Sequence, residues 1–596
     1  MHRVMALPVL LACACGRIAF DARTDGGGGD GDAAVTPRSL VMPSGGQMNH
    51  VLVAPNGDWY ATSSTSGAFR STDQGMTWVR CGARLGDSIA VTTDGTVWMS
   101  GGDVGRSTDN CATWANTGNA RFSDFVFAEG TNVWALCDTG LRKWNGATWA
   151  VMTTPLDGDR FMTMTRGPAR YFIGTFNQGL MTSPDAVTWT AAGTVGFQSQ
   201  HITSIAAGAT VTYAMTAGGS NNIACSDQNG ATWTDCFISG GLSVTVDPSK
   251  DLHAIAAIYD DLGETTDGFN NLTPGLRQPS MDAAVVEEIK YLPTGELLAA
   301  TDRGVFLAPA GTTSFTARLT GLDAWDIDDI VKDGDDMWLS TRGGPLHSVR
   351  GQPFELRTSG VSNNTIIRHV RVMPDGRLVA GGRNLFVSAD RGDSWSQLVA
   401  TNVADGYDAE DIAFNGTRMF VATGQRMLVS DPPYTTFTPV AFPGGGYPGK
   451  ALLVSGTRLW IGTDRGLLVS NDNGMTVNAA AAASIGTRVV RDLLDLPDGR
   501  LLVATQDGAW ISDTARSTFM RAGLAGEYVD GLMLAGTTAF AATAGGVLYS
   551  RDAGATWTPL PGAETTPSSA TFLDDTTGQI IVGTDSRGLI RVPMPP

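Results

Sequence analysis

The chain is short of charge, and of positive charge above all. Only 17% of its 596 residues are charged, with 41 Lys and Arg against 59 Asp and Glu, a net charge of −18. No run rich in Lys or Arg interrupts it, so it has no stretch that would attract phosphate backbones, and nucleic-acid binding is excluded. Beyond the N-terminus no segment stays apolar for the ~20 residues that a membrane-spanning helix needs. Cysteine is scarce, at seven residues, with no Cys-x-x-Cys and no Cys/His cluster, so no metal site is expected. Gly-x-Ser-x-Gly and phosphate-cradling loops are missing too, and no cofactor is expected. What is plentiful is Gly (74), Pro (27) and hydrophobic residues (42%), a composition that builds real cores joined by many turns.

The first 37 residues stand apart. Arg3 precedes a short apolar core, Met5 to Ala12, too brief to span a bilayer. Leu10-Leu11-Ala12-Cys13 resembles the bacterial lipobox, whose cysteine is lipidated, with Cys15 as a second candidate. Residues 1–15 are therefore expected to be a lipoprotein signal peptide, with Cys13 lipidated. Residues 16–37, which include four consecutive glycines from Gly26, read as a flexible Gly/Asp-rich tether. A tether between anchor and body makes sense outside the cytoplasm. The expected location is the bacterial cell envelope, as an outer-membrane or surface lipoprotein, or a secreted form, with the lipid as the one membrane attachment. An oxidising compartment permits disulfides. Cys225 and Cys236 flank one short hairpin and are the candidate pair; Cys81 and Cys111 form a second, leaving Cys137 over.

One phrase recurs through the rest: Ser71-Thr-Asp73-Gln-Gly75-Met-Thr77-Trp78, and again at 107–114, 226–233, 388–395 and 550–557. Degraded copies fill the gaps, closing on Trp149, Trp189, Leu272, Phe315, Phe354, Phe437, Val477 and Phe519. The spacing is about 40 residues, a period of propellers or solenoids. Within each unit the pattern is four short strands, which is one propeller blade. Ser and Asp side chains can close the turn by accepting backbone N–H groups, and Gly supplies positive φ. Fourteen units exceed one ring of four to eight blades. The expected fold is all-β, tandem seven-bladed β-propellers of about 14 four-stranded blades, at 38–320 and 321–596. A ten-bladed ring with extra blades is the alternative. The last unit lacks a fourth strand, which Ser39 to Pro43 is expected to supply.

The phrase resembles the Asp-box, or BNR, repeat of sialidases, sortilin-type receptors and several propeller glycoside hydrolases, over most of residues 45–590. In those families the box holds the fold and lies away from the active site. Sialidases also need an Arg-Ile-Pro motif, which is missing here. The arrangement is similar to the tandem-propeller xyloglucan-cleaving enzymes, which carry one catalytic Asp per propeller in a turn of its first blade. The matching turns place Ser64 and Arg342 there, and neither can replace a carboxylate as acid or base. Asp302, Asp464 and Asp585 occupy equivalent turns of other blades and are the catalytic candidates if the carboxylates have moved.

The first strand of a blade lines the central channel, so the residues opening it should ring the mouth. In the first propeller these are His50, Ser88, Asp124, Arg160, His201 and Glu288. In the second they are Asp329, His369, Asp411, Lys450, Asp492 and Asp530, with Trp325, Tyr407, Tyr447 and Tyr528 in the same loops. Carboxylates beside exposed aromatics suit sugars or cationic peptides. Trp59, Trp98, Trp134, Trp338 and Trp460 lie mid-strand and are expected in the core. The expected function is non-catalytic binding or scaffolding of a protein or glycan at the envelope, by a monomer. The alternative is a polysaccharide-acting glycoside hydrolase with relocated carboxylates.

Overall fold

A computed structural model of the chain describes residues 43–596, apart from short internal stretches, the longest being 399–407 and 564–570, and the last residue. Residues 1–42, with the expected signal peptide, Cys13 and the tether, lie outside the described residues. The described residues are all β-strand, turn and loop save one short helical turn, and they divide between Ala324 and Trp325 into two compact units. Each unit contains seven antiparallel sheets. Each is a seven-bladed β-propeller, with blades 1–7 in the first and 8–14 in the second. Strand order within a blade follows the sequence, innermost to outermost.

Burial explains the strand composition. In blade 12 the two middle strands, Leu501–Thr505 and Gly508–Ser512, are buried at every residue. Neighbouring blades cover both faces, so these strands read as continuous apolar runs and not as an alternation. The outermost strand, Phe519–Arg521, buries only its first residue. Such short edges resist pairing with other chains. The cores lie between blades. One joins Leu502, Ala504 and Ile511 of blade 12 to Val529, Leu532 and Ala541 of blade 13. Ring closure uses the same device: Val51, Ala61 and Phe69 of blade 1 pack on Leu298, Ala300 and Val305 of blade 7. In the second unit Ile327, Ile330 and Leu339 of blade 8 meet Ile581 and Leu589 of blade 14.

The recurring turn is built as its residues require. The Ser71 hydroxyl donates to Asp73 at 2.7 Å and accepts the Gly75 N–H at 2.8 Å. Asp73 accepts the Thr77 N–H at 2.9 Å and the Thr77 hydroxyl at 2.6 Å. Gly75 has φ of +79°, and a Cβ there would press on the Trp59 ring at 3.1 Å. The closing tryptophan reaches the preceding blade: Trp114 Nε1 donates to the Cys81 carbonyl and Trp395 Nε1 to that of Arg357, both at 2.9 Å. Trp78 does the same across the ring closure, to Arg318 at 2.9 Å. The closing tryptophan therefore fastens two blades together.

These turns predict acid sensitivity. Hydrogen bonds from Thr77 hold Asp73 at about 2, against an ordinary 3.8. Those from Ser394 and Thr556 do the same for Asp390 and Asp552. A depressed carboxylate stabilises the fold above its ordinary value, and that contribution drains away as the pH falls toward 2. Thermal midpoints should therefore fall steeply between pH 4 and 2. The triple variant Asp73→Asn, Asp390→Asn, Asp552→Asn should show a shallower fall; an unchanged slope would sink this account.

Blade 6 has three strands among the described residues, Ser243 to Thr265, with Thr273 bridged to Glu264 at its edge. Blade 14 also has three. Ser39 to Met42, most of the segment expected to complete it, lie outside the described residues. Gly45–Gly46 pairs in parallel with Asp323–Ala324 in the first unit. The paired cysteines are both bridged, Cys81 to Cys111 and Cys225 to Cys236, with Cα atoms 4.9 and 5.9 Å apart. Cys137 is buried and takes part in neither bridge.

Candidate functional site

The channel end of the first strand is where the second unit concentrates charge. In blades 8 to 13 that strand carries a β-bulge, shifting register between Ile327 and Asp329, Ile367 and His369, and so on round the ring. A bulge inserts one extra residue and re-aims its side chain. The extra residues are Asp328, Arg368, Glu410, Lys450, Arg491 and Asp530, and they pair across blades. Lys450 Nζ lies 3.4 Å from Glu410, and Arg491 lies 3.4 Å from Asp530.

In blades 8, 9, 10 and 12 the residue after the bulge is turned into the seam between blades. Asp411 accepts its own strand's Ile412 N–H at 2.7 Å and the next blade's Leu452 N–H at 2.8 Å. Asp492 binds Leu493 and Leu532 in the same way, at 2.7 and 2.8 Å. Asp329 bonds to Ile330 N–H, His369 Nδ1 and Arg371, and His369 Nε2 meets the Glu410 carbonyl at 2.6 Å. Asp329 and His369 are 0% exposed, Asp411 and Asp492 1%. These four expected ligand residues fasten blades and have no open face. In the first unit Glu288 does the same work, accepting Val51 N–H at 2.9 Å beside His50 and Lys290. Ser204 and Ser243 supply hydroxyls at the equivalent seams.

Of the remaining expected ligand residues, Trp325 is buried in the core between blades 8 and 14. Tyr528 is half-buried at the mouth, with the Arg491 guanidinium 4.8 Å from its ring centre. Tyr407 and Tyr447 lie outside the described residues. Among the catalytic candidates, Asp302 closes its turn by accepting Val285 N–H at 2.9 Å, and Asp464 is half-buried in the equivalent turn of blade 11. Trp59, Trp98, Trp134, Trp338 and Trp460 are all core, as expected.

Asp585 is different. Its turn in blade 14 brings it within electrostatic range of both Asp530 of blade 13 and Asp326 at the entry to blade 8. Burial pushes Asp530 up to about 7, with the negative charge of Asp585 adding to the rise and Arg491 opposing it. Burial also lifts Asp326 well above the carboxylate range; Asp328 and Asp585 reinforce this against Arg342 and Arg368. Arg342 Nε lies 2.8 Å from Asp326 Oδ2. Three adjacent blades thus bring carboxyl groups together among three arginines, with Asp326 and Asp530 raised by burial. Such a set can donate a proton and stabilise positive charge near neutral pH. Asp326, Asp328, Arg368 and Arg491 were missed in the sequence. Their signal is two consecutive polar residues opening an otherwise apolar strand, as in Arg368-His369 or Arg491-Asp492, which marks the bulge.

Among the described residues no group of three or more His, Cys, Asp or Glu is placed to hold a metal ion, and no helix is long and apolar enough to cross a membrane. A surface depression of about 490 Å³ on blade 6 is lined by Lys250, Asp251, Leu252, His253, Glu264 and Thr266. It lies at the opposite turns of the first unit, where His253 is held by Asp247 at 3.0 Å and Glu264 at 2.7 Å.

No protein-family model matches the chain, and no curated protein matches it. Solved structures do match. A GH74 enzyme from Niastella koreensis aligns at 16% identity over 93% of this chain and 99% of its own, with a TM-score of 0.64. The GH74 xyloglucanase of Xanthomonas campestris aligns at 16% identity over 94% and 99%, with a TM-score of 0.66. PorZ, a surface component of the type-IX secretion system of Porphyromonas gingivalis, aligns at 11% identity over 94% and 87%, with a TM-score of 0.53. At these identities the likeness is one of fold.

Proposed function

We propose that this is a polysaccharide-acting protein of the cell envelope, an Asp-box lipoprotein whose second propeller cleaves glycosidic bonds with carboxylates moved from the positions used by xyloglucan-cleaving enzymes. The observation that carries it is the grouping at the second mouth: Asp530 lies 3.4 Å from Arg491, with Asp585 in a turn of the next blade, and burial together with the charge of Asp585 raises Asp530 to about 7. Glycoside cleavage needs one carboxyl as proton donor and a second as base or nucleophile, roughly 5–10 Å away. Asp530 takes the donor role, protonating the departing sugar oxygen. Asp585 takes the other, drawing a proton from the water whose oxygen bonds to the anomeric carbon as the glycosidic bond breaks. Arg491 orients Asp530 at 3.4 Å. Fold likeness to xyloglucanase and the lipobox-like N-terminus support the setting.

A second possibility has its own observation. Ser64 and Arg342 stand where the xyloglucan-cleaving enzymes carry their acids, and Arg342 is tied to Asp326 at 2.8 Å. A binding protein that has lost catalysis would look like this at those turns. The test is one screen of the soluble chain, residues 38–596, against a panel of polysaccharides, reading retention and release of reducing ends together. Release is expected. Retention without release would leave a glycan-binding lipoprotein, and neither signal would remove polysaccharide altogether.

A further inference from the structure

The turns between second and third strands ring the mouth of each propeller, and the two units furnish them differently. In the second unit five of the seven carry an arginine: Arg342 in blade 8, Arg383 in blade 9, Arg426 at the end of the turn in blade 10, Arg465 in blade 11 and Arg587 in blade 14. Blade 14 packs against blade 8, so these five blades are consecutive round the ring and the arginines form one arc. Arg342, Arg383 and Arg465 are exposed, and Arg426 and Arg587 are half-buried. The equivalent described turns of the first unit hold Ser64, Asp103, Asp138, Asn177 and, in blade 7, Arg303, which is only 8% exposed. Arginine on an arc of one face is a local departure in a chain of net charge −18. Carboxylates share the rim: Asp326 binds Arg342 Nε, yet 49% of the Arg342 side chain still faces solvent, and Asp464 and Asp585 sit in the arginine-bearing turns.

Building on the polysaccharide-acting assignment above, we propose that this arc binds an acidic polysaccharide and that the substrate class is therefore a uronic-acid polymer, not a neutral glucan. Guanidinium groups pair with carboxylates in a planar, two-pronged geometry that a neutral sugar cannot use. A single anion would occupy one arginine. Five arginines at successive blades suit a ligand that repeats its charge, gaining affinity from each contact without extra ordering of the protein. The arc ends at blade 14, which carries Asp585, so a chain laid along it passes the carboxyl cluster. Tyr528 offers a ring at the same mouth.

The experiment uses the intact protein on immobilised polygalacturonate, with xyloglucan as the neutral polymer and polyglutamate as an acidic chain without sugar rings. Polygalacturonate should be retained over the other two, and its retention should fall as salt rises from about 0.05 to 0.5 M, because exposed charge pairs are screened. The double variant Arg383→Gln, Arg465→Gln changes exposed turns and should weaken retention about tenfold or more, the effect of losing two charge-assisted contacts. Arg377→Gln, at the opposite turns and paired with Asp375, should change nothing. Equal retention of xyloglucan and polygalacturonate, or an unaffected double variant, would overturn the acidic-substrate inference and leave the polysaccharide-acting assignment standing. Polyglutamate held as tightly as polygalacturonate would overturn the sugar. Failure to retain either polysaccharide would remove both.

Discussion

Asp530→Asn should reduce polysaccharide cleavage by about 10²- to 10⁴-fold, the usual contribution of a positioned proton donor, while leaving the propeller folded. Asn keeps the shape of the protonated carboxyl but has no proton to give. The wild-type rate should fall as pH rises through about 7, because burial and Asp585 hold Asp530 protonated up to that point and only the protonated form donates. The same variant makes an opposite prediction for stability. A carboxyl whose folded value is raised favours the fold at low pH, and that contribution is lost as pH climbs from its ordinary 3.8 toward 7. Asp530→Asn should therefore raise the thermal midpoint at pH 8 and leave it nearly unchanged at pH 4. Asp585→Asn should abolish cleavage too, and should lessen the wild-type stability loss with rising pH, since the charge opposing ionisation of Asp530 is reduced. Full activity in both variants would end the assignment of catalysis to this mouth.

The largest loss of stability is expected from Asp411→Ala. The carboxylate accepts backbone N–H groups from two blades at 2.7 and 2.8 Å. It also lies 3.2 Å from Arg371, which Asp329 shares. At 1% exposure it is shielded from solvent. Removing it leaves the Leu452 N–H without this acceptor and a buried guanidinium with half its counter-charge. Breaking one side of a buried ion pair costs about 3–5 kcal/mol, and a lost buried acceptor falls in the range of about 1–3 kcal/mol. The combined effect should approach about 5 kcal/mol in urea unfolding, because the two terms describe overlapping interactions and do not simply add. Asp411→Asn, which keeps an acceptor oxygen, should lose much less. A change under about 1 kcal/mol for Ala, no more than an exposed ion pair gives, would mean that the apolar cores between blades carry the seam alone. The outcome also bears on function: a residue that fastens blades should alter stability and leave ligand retention per folded molecule unchanged.

Much of the architecture was legible in the residues because it is local and repeated. A turn such as Ser71 to Trp78 closes on its own side chains, and the strands around it alternate between turn signals every few residues. Repetition gives thirteen copies of the turn and a last unit without one, and the seven sheets in each unit decide for two seven-bladed rings over a ten-bladed one. The two compact units divide between Ala324 and Trp325; a blade repeat by itself locates such a boundary only to within one turn.

The candidate site was legible only in part. Reading along the first strands identified a polar ring, and two of its members, Lys450 and Asp530, are indeed bulge residues. Asp329, His369, Asp411 and Asp492 are one residue further on and point into the seams. A β-bulge shifts side-chain direction by one position; a polar pair such as Arg368-His369 marks it, but Lys450-Ala451 and Asp530-Gly531 lack that pair, so the signal is incomplete round the ring. The unusual protonation of Asp326 and Asp530 has the same origin. It depends on burial and on the charge of Asp585, which the ring closure between blade 14 and blade 8 brings up from the far end of the second unit. By itself the sequence determined the blade, its turns and their number. Which polar residues fasten blades, and which carboxyls keep a proton near neutral pH, only the closed ring decided, because both depend on neighbours that are distant along the chain.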